Sequence, residues 1–279
     1  VVAFAVLTQL GDFWFVFALA ALAYWLGPHA PSVGRGLTRE RAAMVVALLV
    51  AAVALSVSLK ALFGLPRPAG AAVAPERLVV PGGLRDLYVW MATGDGYGFP
   101  SGHATTAVLV WGGFAWAVRV GTRRQRVAVA AALVGVISLS RLVLGVHFGV
   151  DVLVGAALAG AVLWLAVTRL RTPDRVFALA AVIALGGVAG GGLSADLGAA
   201  VGMSATGALV WRGLPGVATS TRRGAVATAI LGFATVGVMV GVALFVLSNA
   251  VTVLAFAAVG TLLLLAMPLA GERVAKKWR

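Results

Sequence analysis

The chain contains no cysteine and very little charge. Without cysteine, neither a disulfide nor a thiolate metal site can form, and the sequence carries no record of the redox state of its compartment. Only 11% of the 279 residues are Asp, Glu, Lys or Arg, whereas 61% are hydrophobic. These proportions lie far outside those of a soluble globular domain. The composition therefore predicts an integral membrane protein.

The charge that is present is mostly positive. Lys and Arg number 22 against nine Asp and Glu, which gives a formal net charge of +13. A surplus of this size can indicate nucleic-acid binding, but the basic residues lie in short clusters between apolar runs and form no long basic tail. We therefore expect no nucleic-acid partner.

Apolar runs near the ~20 residues that cross a bilayer recur along the chain. They predict an all-α, polytopic transmembrane bundle with nine spans, at residues 10–27, 42–63, 103–119, 127–143, 149–168, 176–193, 196–211, 224–247 and 250–269. Asp12 interrupts the first span, so residues 1–10 either lie along the interface or complete that span. The seventh run is short and rich in Gly and Ala, and is either a span or a re-entrant segment.

The basic residues fall in alternate connections between these spans. One side of the membrane holds 17 of the 22, and the other holds only Lys60, Arg67, Arg77, Arg85 and Arg141. Basic residues near short loops are retained on the cytoplasmic side. We therefore expect a multi-pass protein of the cell membrane, with its amino terminus outside and its carboxyl terminus in the cytoplasm.

Lys60 and Arg67 form the first of three motifs. Positions seven apart share a helix face, and Gly64, Pro66 and Pro68 are expected to end the helix nearby. Both cations are therefore predicted to point at one spot, where the arginine fork matches phosphate oxygens and the lysine adds a compact charge. An isolated pair of this kind is equally typical of cations that snorkel at a membrane surface.

The second motif, Pro100-Ser101-Gly102-His103, opens the third predicted span. Ser101 is a natural N-cap, and Gly102 allows close approach to the backbone. Free N–H groups at a helix start bind anions, and His103 is placed to donate a proton to a leaving oxygen. An ordinary helix cap followed by a structural histidine is the alternative interpretation.

The third motif runs from Ser140-Arg141 to His147 and Asp151. A spacing of four predicts that His147 and Asp151 share a helix face. The carboxylate can then hold one ring nitrogen and leave the other free, which fixes the tautomer and stabilises an imidazolium or a phosphohistidine. Gly145 predicts a bend between Arg141 and His147. A structural His–Asp pair is the alternative, since an aspartate in an apolar helix is costly and usually paired.

These three strings resemble, in order and without substitution, the signature of the type 2 phosphatidic acid phosphatase superfamily, which is shared with bacterial acid phosphatases and vanadium haloperoxidases. The resemblance covers roughly residues 5–193. It implies a six-helix phosphatase core over residues 1–193, with the site on the extracytoplasmic face. About three additional transmembrane helices of unknown role would occupy residues 194–279.

The resemblance also implies a role for each motif residue. His147 is the expected nucleophile, Asp151 its orienting partner and His103 the general acid. The expected phosphate cradle consists of Lys60, Arg67, Ser101, Gly102 and Arg141. The implied activity is metal-independent hydrolysis of a phosphate monoester or diphosphate through a phosphohistidine. No cofactor is expected, and vanadate should inhibit as a phosphate mimic.

A site at the outer membrane surface favours a lipid substrate, such as a phosphatidic acid, a glycerophosphate lipid or a polyprenyl diphosphate. The segment 69–99, with its several aromatic residues, is expected either to cover the site and admit a lipid laterally or to anchor the loop at the headgroup level. A water-soluble sugar phosphate as substrate and a non-hydrolytic lipid transporter are the main alternatives. A vanadate-dependent peroxidase and a protein with a dead site are weaker ones.

The 36 glycines are expected to serve helix packing. Small residues spaced along one face let membrane helices approach closely. The sequence offers two such faces, at Gly186, Gly187, Gly190 and Gly191, and at Gly237 and Gly241. These contacts lie either within one chain or between the chains of a homo-oligomer.

Overall fold

The computed structural model describes residues 1–30, 34–74, 82–214, 221–246 and 249–277, and within these ranges its regular structure is entirely helical. The α-helices are α1 (Val2–Leu7), α2 (Phe13–Leu26), α3 (Arg39–Phe63), α4 (Arg85–Ala92), α5 (Gly102–Ala117), α6 (Arg123–Val143), α7 (Gly149–Leu165), α8 (Pro173–Gly191), α9 (Ala195–Gly213), α10 (Arg222–Val246) and α11 (Ala250–Lys276). Three short 3-10 turns (Thr8–Gly11, Gly27–His29 and Gly82–Leu84) and a π-helical extension of α7 (Ala166–Leu170) complete them. The predicted all-α polytopic bundle is confirmed.

Six helices of the described chain are long and apolar enough to cross a membrane: α3, α6, α7 with its extension, α8, α10 and α11. A seventh candidate is the pair Val2–Gly11 and Phe13–His29, which is bent by 43°. Residues 1–10 therefore form a helical segment ahead of the break at Asp12. The remaining two predicted spans correspond to α5, of 16 residues, and to α9, which is one continuous helix of 19 residues.

Helix α3 lies at the centre of the bundle. It packs against α2, α5, α7, α8 and α9, and 83% of the residues in its apolar stretch are buried. The hydroxyl of Ser58 donates to the carbonyl of Ile183 on α8 at 3.0 Å. This central position fixes the carboxyl-terminal end of α3, where Lys60 lies.

The predicted glycine faces differ in their contacts. Gly187, Gly190 and Gly191 lie against Ser58, Leu62 and Ala61 of α3, so that any side chain there would collide with the central helix. By contrast, Gly186, Gly237 and Gly241 have open space where a side chain would stand. The first face therefore serves packing within the chain. The homo-oligomer stays a prediction.

The helices after residue 193 pack directly on those before it. Helix α9 contacts α3, α8 and α11, and α10 contacts α2. The phenolic O–H of Tyr24 on α2 donates to the carbonyl of Leu265 on α11 at 2.9 Å, and the indole N–H of Trp25 donates to that of Leu264 at 3.0 Å. The assignment of residues 1–193 and 194–279 to two functional parts stays a prediction.

Basic residues gather at the end of the bundle opposite the motifs. Arg41, near the start of α3, donates to the carbonyl of Ala117 at the end of α5 at 3.1 Å. Arg212, near the end of α9, lies 3.3 Å from the Asp174 carboxylate at the start of α8. Lys60 stands at the other end of α3, so the motif end and the basic end of the bundle are separate.

Candidate active site

His147 lies in the short connection between α6 and α7. Helix α6 ends at Val143, and Gly145 follows it with a φ of +69°, a left-handed conformation that glycine adopts without strain. This bend agrees with the prediction from the sequence. Helix α7 begins only at Gly149, so His147 precedes the helix and does not share its face with Asp151, contrary to the expectation. The loop nevertheless brings the two side chains together.

Asp151 faces one nitrogen of the His147 ring. Its Oδ2 lies 3.4 Å from Nδ1, and both side chains are almost fully buried. The same Oδ2 accepts the backbone N–H of Phe148 at 2.8 Å, which fixes the carboxylate at the start of α7. Catalytic contacts are often long in a free site and tighten when substrate binds. The carboxylate thus faces Nδ1 and leaves Nε2 on the opposite side of the ring, directed into the site.

Arg67 contacts that second ring nitrogen. Its Nη1 lies 3.0 Å from Nε2 of His147 and donates to the carbonyl of Val146 at 2.9 Å. Its Nε donates to the carbonyl of Asp95 at 2.7 Å. Because a guanidinium can only donate, Nε2 must be the acceptor, and the ring proton then stands on Nδ1, facing Asp151. This tautomer is the one in which Nε2 has a lone pair.

Burial and neighbouring cations keep the His147 ring neutral. Burial is the largest effect and the charges of Arg67, Arg141 and Lys60 add to it, so that the pKa of His147 falls far below its usual value of 6.5. The pKa of the Arg67 guanidinium is also lowered, chiefly by burial, but arginine stays charged at physiological pH. A neutral imidazole beside several cations is the form that can act as a nucleophile toward a phosphate.

Arg67 reaches the site from a loop. Helix α3 ends at Phe63 and Gly64 is left-handed, with φ of +57°, so the prediction that Lys60 and Arg67 share a helix face is wrong. Arg67 is positioned instead by the chain that precedes the second motif. At Gly94 and Gly98 a side chain would lie about 3 Å from Arg67 atoms, so both positions need glycine to accommodate it.

Arg141 is held by a residue far away in sequence. Its side chain is buried, and its Nη1 donates to the hydroxyl of Thr8 at 3.1 Å. Within the described chain its Nε is buried without a hydrogen-bond partner. Buried polar groups are rarely left unpaired, and a charged N–H group beside His147 suits a phosphate oxygen. No pattern in the sequence singles out Thr8.

The second and third motifs are joined through the backbone. The N–H of Ser101 donates to the carbonyl of Asp151 at 3.0 Å, and the buried Ser101 hydroxyl accepts the N–H of Ala104 as the N-cap of α5. At Gly155 of α7, a side chain would stand only 3.1 Å from the Ser101 carbonyl. Gly102 in turn makes room for the hydroxyl of Ser56. The starts of α5 and α7 therefore form one unit.

His103 is paired with a carboxylate that the motifs do not include. Its Nε2 lies 3.5 Å from Oδ2 of Asp12, and the two side chains are 21% and 25% exposed. Asp12 occupies the break between the first 3-10 turn and α2. From the sequence, Asp12 was noted only because it interrupts an apolar run, and it was given no functional role. A carboxylate in such a run is itself a sign of function.

The segment over residues 69–99 lies beside the His147 loop. Helix α4 packs against α1, and Tyr88 is buried in a cluster with Leu144 and Val146. Trp90 and Tyr97 are more than half exposed. Residues 75–81 of this segment lie outside the described residues. Its role in covering the site or selecting lipids stays a prediction.

The predicted site residues thus come together at one end of the bundle. His147 contacts Asp151 and Arg67, the charges of Arg141 and Lys60 act on it, and His103 stands at the start of the adjoining helix. In the described part of the chain, no group of three or more His, Asp or Glu side chains is arranged to hold a metal ion. The cluster is suited to an anion with several oxygens.

The fold and this cluster define a multi-pass helical membrane protein with a histidine in a cationic pocket. Residues 41–175 match the model of the PAP2 superfamily, which confirms the resemblance of the three motifs to that superfamily. Members of the superfamily are phosphatases that act on phosphate esters, often those of lipids. No curated protein and no solved structure matches the chain.

Proposed function

We propose that the protein is a membrane phosphatase that hydrolyses a phosphate monoester or diphosphate of a lipid through a phosphohistidine on His147. The observation that carries this proposal is the state of the His147 ring. Its Nδ1 faces Asp151 at 3.4 Å, and its Nε2 accepts from Arg67 at 3.0 Å. The ring is therefore neutral and oriented, and the charges of Arg67, Arg141 and Lys60 act on it.

In the first step, Nε2 attacks phosphorus in line with the leaving oxygen. The N–P bond forms as the P–O bond to the leaving group breaks, and His103 transfers its proton to the departing oxygen. Lys60, Arg67 and Arg141 neutralise the non-bridging oxygens, which is the main protein contribution to phosphoryl transfer. Arg67 keeps its bond to the Asp95 carbonyl while its Nη1 moves from Nε2 to a phosphate oxygen.

In the second step, water hydrolyses the phosphohistidine. His103, now neutral, accepts a proton from the attacking water, the P–N bond breaks, and its electron pair returns to Nε2 of His147. Asp151 stabilises the positive charge that the ring carries in the intermediate. Asp12, at 3.5 Å from His103, orients that ring and favours its protonated form before the first step. We expect turnover without metal or cofactor, and inhibition by vanadate bound to the cations.

Phosphate release from a panel of substrates tests the proposal. Purified protein in detergent, with EDTA present, is given lipid monophosphates, isoprenoid diphosphates and sugar phosphates. We expect turnover of lipid substrates that vanadate inhibits and that His147→Ala abolishes. His29→Ala is the matched control, because His29 lies in the turn after α2 and outside the motifs.

Three results would contradict the proposal. Activity that EDTA removes would oppose a metal-independent reaction, and activity retained by His147→Ala would remove the nucleophile. Sugar phosphates with a kcat/KM equal to that of the lipids would oppose the lipid substrate. The intermediate can also be sought directly. Wild-type enzyme denatured with alkali during turnover should retain the phosphohistidine, whereas denaturation with acid should destroy it, because phosphohistidine is acid-labile.

We further propose that the active site faces outward from the cell membrane and that the carboxyl terminus is cytoplasmic. The separation of the motif end from the basic end supports this orientation, because the basic side is the one retained inside. A chain without cysteine allows a direct test with single substitutions. Tyr97→Cys should react with a membrane-impermeant maleimide in intact cells, and Arg124→Cys only after permeabilisation. The reverse pattern would contradict the orientation.

A further inference from the structure

A cavity of about 350 Å³ opens beside His103. Its volume lies within the range of small-molecule sites. Four elements form its wall: the start of α2, the outer half of α3, the start of α5 and the first half of α9. The residues that matter for its chemistry are Asp12, Ala52, Val53, His103, Asp196 and Met203.

The cavity extends from the active-site end into the bundle. On α9 its wall runs from Asp196 to Met203, which at 1.5 Å per residue is about 10 Å of helix. On α3 it reaches Ala52 and Val53, which belong to the hydrophobic core or pack against it. The charged groups, Asp12, His103 and Asp196, belong to the active-site ends of their helices. The deeper wall is predominantly apolar, so the cavity suits hydrocarbon.

In-line geometry decides which part of a substrate would enter. The leaving oxygen must stand opposite the attacking Nε2 of His147 and close to the proton donor, His103. The cavity is lined by His103 and by neither His147 nor Arg67. It therefore lies on the leaving-group side of the phosphorus.

The charges at the cavity add a further restriction. Asp12 and Asp196 both line it, whereas Lys60, Arg67 and Arg141 do not. Asp12 is paired with His103, but the Asp196 carboxylate disfavours an anionic leaving group such as the phosphate released from a diphosphate, because like charges repel and no Lys or Arg among the described residues lines the cavity to offset them. An uncharged alcohol meets no such repulsion.

We propose that this cavity binds the hydrocarbon part of the leaving alcohol, so that the substrate is a lipid phosphomonoester and α9 limits the chain it accepts. This inference rests on the proposed phosphatase function. Helix α9 lies outside residues 41–175, the part that matches the superfamily. The helices after residue 193 therefore help to select the substrate by the length of its hydrocarbon chain. Helix α9 is held in place for this role by its contacts with α8 and α11.

Substitutions at Met203 test the inference through chain length. Met203→Trp fills the cavity, and Met203→Ala enlarges it. Leu209→Trp is the control, because Leu209 lies on the same helix but is 70% exposed on the outside of the bundle. The measurement is kcat/KM for alkyl monophosphates of six and sixteen carbons, together with the diphosphate of the longer alcohol.

We expect the wild type to prefer the long monophosphate over the diphosphate. Met203→Trp should lower kcat/KM for the long chain at least about tenfold more than for the short chain, which is the effect of losing a few methylene contacts. Met203→Ala should shift preference toward longer chains, and Leu209→Trp should leave the ratio at the wild-type value. A ratio that neither Met203 variant changes, or a preference for the diphosphate, would overturn the inference.

A binding measurement separates this inference from the proposed reaction. Because the chain has no cysteine, Met203→Cys in the His147→Ala background can be modified by a small thiol reagent without interference. Hexadecyl phosphate should slow this modification at least about fivefold, and should not slow that of Leu209→Cys. Protection without wild-type turnover would refute the phosphatase and retain the cavity as a lipid site. Turnover without protection would refute the cavity as the binding site.

Discussion

The contact between Asp12 and His103 allows the proposed general acid, His103, to be weakened without removing any group of the proposed phosphate cradle. The change is Asp12→Asn. The Asp12 side chain makes no capping hydrogen bond to α2, and asparagine is as good an N-cap as aspartate, so the start of α2 at Phe13 is preserved. What is lost is the negative charge 3.5 Å from Nε2 of His103, and with it the stabilisation of the protonated ring.

The size of the effect follows from the distance. Two unit charges 3.5 Å apart interact by roughly 1 kcal/mol in water and by roughly 5 kcal/mol at an effective dielectric constant of 20. Nε2 of His103 is buried, but both side chains are partly exposed, at 21% and 25%, so solvent partly screens the pair and the lower half of this range applies. We expect a loss of about 1 to 3 kcal/mol, which is about 5- to 150-fold in rate.

The assay compares two leaving groups. An alkyl alkoxide needs a proton as it departs, whereas nitrophenolate leaves without one. Asp12→Asn should therefore lower kcat/KM by about 5- to 150-fold for an alkyl phosphate and by less than about threefold for 4-nitrophenyl phosphate. Asp86→Asn, an exposed aspartate in the first turn of α4, is the matched control and should change neither value.

A second comparison shows whether Asp12 acts through His103. In a His103→Asn background, Asp12→Asn should have little further effect, because residues that act as a unit are not additive. Equal losses for the two leaving groups would refute the reasoning, since they would indicate a structural defect or a role in phosphate binding. Full additivity of the two substitutions would refute it as well.

Three further substitutions test the rest of the site. Asp151→Asn should lower kcat by about 10³- to 10⁴-fold with little change in KM, because His147 loses its tautomer and its stabilising charge; a loss under tenfold would contradict this role. Arg67→Gln removes a cation that lowers the pKa of His147, so the pKa of His147 should rise toward 6.5. Because the protonated ring cannot attack, the acid limb of the kcat/KM profile should then move to higher pH. An acid limb that does not move would contradict the electrostatic account. Thr8→Val leaves a buried Arg141 N–H unpaired and should cost about 1 to 3 kcal/mol, measured as weaker vanadate binding or a lower unfolding temperature. Thr8→Ser should restore the wild-type values.

Hydropathy predicted the helices well because a bilayer imposes the same requirements on every span. Backbone groups must be satisfied within the segment and the side chains must be apolar, so each predicted span corresponds to a helix whose bounds are shifted by a few residues. Helix α11 differs most, since it continues beyond residue 269 to Lys276. Its last turns are basic and lie past the apolar run that the prediction followed.

The site was predictable where its residues are neighbours in sequence and unpredictable where they are not. The bend at Gly145 and the proximity of His147 and Asp151 were predictable because each is local, although the loop before α7, and not a shared helix face, brings the two side chains together. Thr8 reaches Arg141 across 133 positions, and no local pattern records that contact. Arg67 shows the same limit of the helix-face argument, because its loop, and not a helix face, brings it to the His147 ring.

In the proposed reaction, the arrangement of charge explains how one cluster can serve both binding and attack. In the site as it stands, Arg67, Arg141 and Lys60 disfavour a positive charge on His147, so the ring stays neutral and Nε2 keeps its lone pair, occupied only by a hydrogen bond from Arg67. A bound phosphate offers that guanidinium a charged acceptor in place of a neutral one, which is the stronger bond. Nε2 is then released at the moment when phosphorus lies in front of it. The same phosphate charge offsets the three cations, so the positive charge that phosphorylation places on His147 meets Asp151 on one side and an anion on the other. The cations that hold the ring neutral before binding are therefore the ones that the substrate neutralises as the reaction begins.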